Sequence, residues 1–302
     1  MKLWFFILLL AAGNAFSQTR IVVPFPPGGG ADALARLMAP KLTELWKEQV
    51  IVENKPGASG HIGADFVARS PADGKTLLMS STASLTEKNV HQFAPVTLVS
   101  ASPYVLVVSL KTQSSSVTDL ISFARANPGK LTFGSSGTGA ASHLSAELFK
   151  SMAKIDMLHV PYKGTGQAVT DLLAGQIDLL FAPAQAVLPH VKAGKLKALA
   201  TTGNKRSETL PNLPTLDEAG VFGYEAFDWF GLLAPAATPR STVEKLSADA
   251  NRVLADSEVR TRMQAVGADP AGNTPEAFAR FIRDDQAKWA RLMREAGIKP
   301  EG

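Results

Sequence analysis

Apolar runs of strand length alternate with amphipathic runs of helix length through most of this chain, and that alternation limits the folds open to it. Residues 20–25 read as a strand. Residues 31–46 read as a helix, with Leu34, Leu37, Met38, Leu42 and Leu45 at three-to-four spacing. The pattern continues with strand 50–53, helix 62–69 and strand 76–79, then strands 96–99 and 104–109. Helix 117–127 is stopped by Pro128 and Gly129. Strand 131–134, helix 140–153, strand 157–160, helix 167–174, strand 177–181, helix 184–193 and strand 196–201 follow. After Pro239 the pattern is helical at 241–255, 257–266 and 275–296.

Repeated β-α-β units predict an α/β protein with parallel sheets covered by helices on both faces. Two extended stretches break the rhythm, SPYVLVVS at 102–109 and FDWFGLLAP at 227–235. They read as strands crossing between two lobes, with hinge segments at 104–109 and 229–235 and the C-terminal helices returning to the first lobe. The expected division is lobe I at 18–102 plus 228–302 and lobe II at 103–227.

The first 17 residues stand apart from this pattern. A basic start at Met1-Lys2 precedes LWFFILLLAA, and Ala15-Phe16-Ser17 supplies a small-x-small cleavage signal. This is the layout of a secretory signal peptide, since a bilayer span needs roughly 18 or more apolar residues. The 302-residue chain contains no cysteine, which excludes disulfides, thiol catalysis, zinc-thiolate sites and a lipoprotein anchor. Its formal charge of +4 is modest, and no Lys/Arg-rich run marks a nucleic-acid or polybasic membrane partner. An exported, unanchored bacterial chain of this kind is expected free in the periplasm.

Three glycine-rich loops each follow a predicted strand and open a predicted helix: PPGGGAD (26–32), GSSGTGAASH (134–143) and YKGTGQA (162–168). At such points backbone N–H groups lack helical partners, and the helix dipole adds partial positive charge. Glycine permits positive φ and close approach of a ligand. The expectation is an anion cradle at the carboxyl ends of the strands.

Nucleotide and hydrolase patterns fit poorly. A P-loop needs Lys-Ser/Thr after its last glycine, but Asp32 stands near that place and suits the first turn of a helix better. Gly137-Thr138-Gly139 and Gly164-Thr165-Gly166 begin a dinucleotide fingerprint that Ser142 and Val169 fail to complete. No G-x-S-x-G is present, so a hydrolase would have to pair Ser135 or Ser136 with His143 in another setting. The five histidines form no compact metal pattern. His143 reads as a capping or packing residue, or as a ligand contact. Asp228, beside Trp229, reads as a hinge brace or a ligand contact. Lys163 is the one candidate cation at the loops.

The motifs IVVPFPPGGGADALAR, VENKPGASGHIGADFVARSPADGKTLL, FAPVTLVS, FGSSGTGAASHLSAELF, HVPYKGTGQAVTDLLAGQIDLLF, LPTLDEAG and WFGLLAPAATP occur in this order over nearly the whole chain. In number and order they resemble the solute-binding receptors of tripartite tricarboxylate transporters, the Bug family. The resemblance implies a two-lobed periplasmic binding protein of type II, a Venus flytrap with two crossover strands, that needs no cofactor and no catalytic residue. Its ligands are small carboxylates. Its partners are membrane transporter subunits or a sensor protein, and the receptor itself is expected to be a monomer. Carried over by position, Pro27, Gly28 and Gly29 grip the carboxylate from one lobe, and Ser135, Thr138, Gly139 and Ser142 from the other. Ser81 and Ser84 face the ligand from SSTASLTEKNVHQFAPV, a segment shorter than the family's usual one.

Overall fold

The computed structural model describes residues 18–207 and 210–298. The expected signal peptide at 1–17 lies outside the described residues. In chain order the elements are β1 (Gln18–Val23), α1 (Gly30–Trp46), β2 (Gln49–Asn54), α2 (His61–Ala68), β3 (Thr76–Ser80) and β4 (Phe93–Ser109). Next come α3 (Val117–Ala126), β5 (Thr132–Ser135), α4 (Ala141–Ala153), β6 (Leu158–Pro161), α5 (Thr165–Ala174), β7 (Leu179–Pro183), α6 (Ala184–Lys192) and β8 (Leu196–Thr201). β9 (Phe227–Pro235), α7 (Arg240–Ala255), α8 (Ser257–Ala265) and α9 (Pro275–Glu295) complete the described chain.

The strands form two sheet regions that share β4. The first runs β2-β1-β3-β9-β4, the second β6-β5-β7-β4-β8. β1 pairs in parallel with β2 and β3, and β5 with β6 and β7, as βαβ units require. β4 is antiparallel to β7, β8 and β9, so the sheets are mixed rather than purely parallel. The chain leaves the first sheet along β4 and returns along β9, and an outgoing and a returning strand side by side must be antiparallel.

The segments 96–99 and 104–109, expected as separate strands, are one strand of 17 residues. It changes partners within its length. Phe93 to Pro103 pair with β9, ending at Pro103 opposite Phe227, while Tyr104 to Ser109 pair with β7 and β8. Residues 104–109 therefore sit inside the second sheet and 229–235 inside the first, and neither is itself the crossing point. The crossing points are Pro103–Tyr104 on β4 and the residues just before β9. Strand propensity marked both stretches, but no local signal tells which partner each residue will find.

Side-chain alternation along β4 assigns its two faces. Tyr104, Leu106 and Val108 join the core under α3 and α4, and Val105 and Val107 join the core under α5 and α6. In the first sheet, α1, α7 and α8 cover one face and α2 with the start of α9 the other.

α9 departs from the expectation that the C-terminal helices pack on the first lobe alone. Thr274 caps it, its side chain accepting from Ala277 N–H, and its buried stripe runs Phe278, Ile282, Asp285, Trp289, Leu292. The seven-residue spacing keeps that stripe on one side for the whole helix. Phe278 and Ile282 belong to the first-sheet core, Trp289 and Leu292 to the second. The tip of the Phe278 ring packs against Gly231 on β9, where a Cβ would come within 2.1 Å of its Cζ. A sequence stripe predicts a buried face without saying that the face spans two cores.

Trp289 is fully packed, yet its indole N–H has no hydrogen-bond partner among the described residues. Trp289→Ala is expected to cost about 3–5 kcal/mol through the cavity it leaves. Trp289→Phe should cost well under half as much, because it discards an unpaired donor. Chemical denaturation of the two variants checks the order. Equal losses would contradict it.

Candidate functional site

The three glycine loops sit where the sequence places them, between β1 and α1, β5 and α4, and β6 and α5. The N-cap residues of these helices are Gly29, Ala140 and Gly164, and none supplies a side-chain cap. By contrast α3, α8 and α9 are capped by Ser116, Asp256 and Thr274. First-turn N–H groups at the glycine loops are thus left without a capping oxygen, the condition for holding an anion.

The first loop is shaped from behind by Asp32, which is 4 % exposed. Its carboxylate accepts from Gly28 N–H at 2.9 Å, Asn54 Nδ2 at 2.9 Å and Arg36 Nε at 3.0 Å. Burial alone would raise its pKa, but the bonds from Arg36, Gly28 and Asn54 outweigh this and hold it below the ordinary aspartate value. Asp32 therefore binds the loop itself as well as the helix start. Gly28 carries the positive φ, +88°, whereas Gly29 is extended at φ −81°. Only Gly28 needs glycine for its backbone. Gly28 and Gly29 are exposed, as is Pro27.

The second loop is tied by its own hydroxyls. Ser142 Oγ accepts from Ser136 N–H at 3.0 Å and lies 3.0 Å from Ser136 Oγ. Ser135 is buried, donates to Gly137 O at 3.0 Å and accepts from Gly137 N–H at 3.2 Å. His159 Nε2 lies 2.7 Å from Ser135 Oγ, and His143 Nδ1 accepts from Gly139 N–H at 3.0 Å. A Ser–His pair thus exists, but it joins Ser135 to His159 and not to His143, and the serine hydroxyl hydrogen is already used on Gly137. Thr138 and Gly139 stand half-exposed at the tip. The third loop adjoins it, for Tyr162 N–H donates to Ser135 O at 3.1 Å.

Ser81 and Ser84 are both buried in the turn after β3. Ser84 Oγ accepts from Ser81 N–H at 3.2 Å and lies 3.0 Å from Ser80 Oγ. That turn is tethered to α9. Thr82 Oγ1 donates to Asp285 at 3.3 Å and Gln286 Nε2 to Leu85 O at 3.2 Å. Asp285 also accepts from Trp229 Nε1 at 2.9 Å on β9. Lys288, one turn on, donates to Glu225 O at 3.2 Å.

Asp228 opens β9 opposite Ser102, where β4 nears its change of partner, and accepts from the Tyr104 hydroxyl. The sequence did not signal Asn54, Tyr104 or His159 as structural partners of the loops and the crossing, because each lies more than 15 residues from the group it holds; Arg36, four residues from Asp32, was within reach of a helix-spacing reading. No cluster of three or more His, Asp or Glu fit to hold a metal occurs among the described residues. Two surface grooves lie away from the loops, one against Arg240 and Glu276 and one against Ile62 and Phe66.

The model for the tripartite tricarboxylate transporter family receptor matches residues 34–298. The chain belongs to that receptor family. It is 36% identical to BugT of Bordetella pertussis over 291 residues, covering 93% of this chain and 89% of BugT. Among solved structures it superposes on Rpa4515 of R. palustris with adipate at a TM-score of 0.80, with 36% identity and 93% and 97% of the two chains covered. MatC (Rpa3494) from Rhodopseudomonas palustris with bound malate gives a TM-score of 0.76 and 30% identity, over 91% and 98%. The two-lobed α/β architecture expected from the sequence is therefore that of this receptor family.

Burial raises the Asp228 pKa to about 6, and the Tyr104 hydroxyl opposes the rise only in part. Between pH 4 and 6 the folded receptor holds a proton that the unfolded chain releases, so stability is lost as pH rises through that window. Asp228→Asn keeps an acceptor for Tyr104 and cannot ionise. Its melting temperature should equal the wild type's at pH 4 and exceed it at pH 7. A constant offset at both values would contradict the assignment.

Proposed function

We propose that the chain is a periplasmic solute-binding protein that captures a small carboxylate and delivers it to the membrane subunits of a tripartite tricarboxylate-type transporter. The observation that carries the reading is the coincidence of family membership with uncapped helix starts at PPGGGAD and GSSGTGAASH. Rpa4515 with adipate and MatC with bound malate are both structures with dicarboxylic acids. Residues 1–17 serve as the cleaved export signal.

In this reading lobe I comprises 18–102 plus 228–302 and lobe II 103–227, with α9 bridging them. The lobes close about Pro103–Tyr104 and the residues entering β9. The acid rests against Pro27, Gly28, Gly29 and the first turn of α1 on lobe I, and against Thr138, Gly139 and Ser142 on lobe II. Gly28 and Gly139 N–H are already bonded to Asp32 and His143. The donors left for the ligand are the N–H groups of the uncapped first turns and the Thr138 hydroxyl. Ser81, Ser84, Ser135 and Asp228 act by shaping the turns and the crossing around them. Micromolar capture needs about 8 kcal/mol. Hydrogen bonds to a charged group contribute roughly 1.5–3 kcal/mol each, so four or five suffice before the cost of closure, without an arginine clamp. Binding by positioned donors also fits a Ser135 whose hydroxyl is buried and occupied, which disfavours a hydrolase.

A thermal-shift series with adipate, malate and their dimethyl esters tests the reading. Free acid at a hundred times its dissociation constant should raise the melting temperature by about 5–10 °C. The esters should give none, and equal shifts for acid and ester would overturn carboxylate recognition. Gly29→Val is compatible with its backbone, and an added Cβ meets only Pro26 O at 3.9 Å. The variant should fold normally and lose the acid-dependent shift. A full shift in Gly29→Val would remove the first loop from the site.

A further inference from the structure

The two histidines behind the second loop are not two separate packing residues. His143 on α4 and His159 on β6 stack with ring centroids 3.9 Å apart and an interplanar angle of 12°. Phe133 of β5 continues the stack, 4.9 Å from His159. The rings reach opposite ends of one turn, His159 bonding Ser135 and His143 bonding Gly139.

The hydrogen positions follow from the partners. Gly139 N–H can only donate, so His143 Nδ1 must be bare and its hydrogen must sit on Nε2, which points toward Glu147 Oε1 at 3.8 Å. The Ser135 hydroxyl donates to Gly137 O, so His159 Nε2 must carry a hydrogen and donate to Ser135 Oγ. His143 is therefore neutral, and His159 carries a hydrogen on the same ring nitrogen, Nε2, and is neutral near pH 7 because burial and Lys150 hold its pKa to about 4. A proton added to His143 Nδ1 would set donor against donor at Gly139. A proton added to His159 would leave its bond to Ser135 in place.

We propose that His143 and His159 are positioning residues for carboxylate capture: as a neutral stacked pair they hold the Ser135–Gly139 turn in its anion-receiving shape, with the bare Nδ1 of His143 as the required acceptor. The inference rests on the reading of this loop as a carboxylate site. It adds that the site has an acid limit set from behind the loop by a residue 4 % exposed. Burial, with Lys150 adding to it, depresses the pKa of His143 to about 4. His159 is also held to about 4, by burial, its neighbour His143 and Lys150, against a raising effect from Glu147. Lys150 in turn sits 3.0 Å from Glu147 and 3.9 Å from Asp156. Capture should thus persist through mildly acid pH and fail steeply near pH 4.

Two variants and one spectroscopic reading test this. His143→Asn puts an amide oxygen near the place of Nδ1 and does not titrate, whereas His143→Leu fills the space with no acceptor. Adipate affinity measured by calorimetry at pH 7 should fall about tenfold or more in His143→Leu and stay within about threefold of wild type in His143→Asn. Between pH 6 and 4 the wild-type affinity should drop more than that of His143→Asn. In the ligand-free wild type, the Gly139 amide resonance should titrate with a midpoint near 4.

Undiminished affinity in His143→Leu, or equal loss in both variants, would overturn the positioning role. So would a Gly139 amide that does not move, and that reading stands whether or not adipate binds or a variant folds. Thr138→Ala separates the two claims. If it leaves adipate affinity unchanged, the loop is not the carboxylate site. If it weakens adipate while His143→Leu does not, only the positioning inference falls.

Discussion

The antiparallel ladder between β4 and β9 is the constraint on which the rest of the molecule depends. It joins Phe93 to Pro235 at one end and Pro103 to Phe227 at the other, closing a loop of more than a hundred residues that forms the second sheet and its helices. Beyond Pro103 the same strand enters that second sheet, between β7 and β8. One continuous backbone therefore sets the register of both halves, and the glycine loops at the ends of β1 and β5 inherit their positions from it. Around the change of partner the contacts are polar and specific: Tyr104 to Asp228, Trp229 to Asp285, Asp285 to Thr82. α9 runs along this junction with one end of its stripe in each core.

A second regularity concerns where the chain uses side chains to satisfy backbone donors. α3, α8 and α9 take Ser, Asp and Thr caps, while the helices at the glycine loops begin uncapped with Gly29, Ala140 and Gly164, as α2, α6 and α7 do with Gly60, Pro183 and Pro239. The polar side chains near the loops bind one step earlier, to the turn residues. Asp32 holds Gly28, Ser142 holds Ser136, and His143 holds Gly139. The loops are thereby pre-shaped while first-turn donors stay uncapped, the arrangement that the proposed carboxylate capture would use.

Much of this was legible in the sequence, for physical reasons that also explain the gaps. The alternation of apolar periods located the regular elements to within a few residues, because burial on one or two faces leaves a period that survives in one dimension. The glycine loops were recognisable because strand–glycine–helix junctions have a composition of their own. What was lost was pairing at a distance. The merging of 96–99 with 104–109, the bridging end of α9, and the attachment of His159 to Ser135 each depend on which element arrives alongside. Gly28 and Gly29 could not be told apart for a similar reason: composition shows that glycines are present, and only the backbone shows that Gly28 adopts positive φ and Gly29 does not.

The central claim is that one small acid is held at once by a loop from each sheet. Amide chemical-shift titration of the isotope-labelled protein with adipate tests it most directly. The account predicts shifts at Gly29 to Asp32 and at Thr138 to His143, saturating together with a single affinity. Saturable binding that moves only one of these loops, or neither, would contradict it.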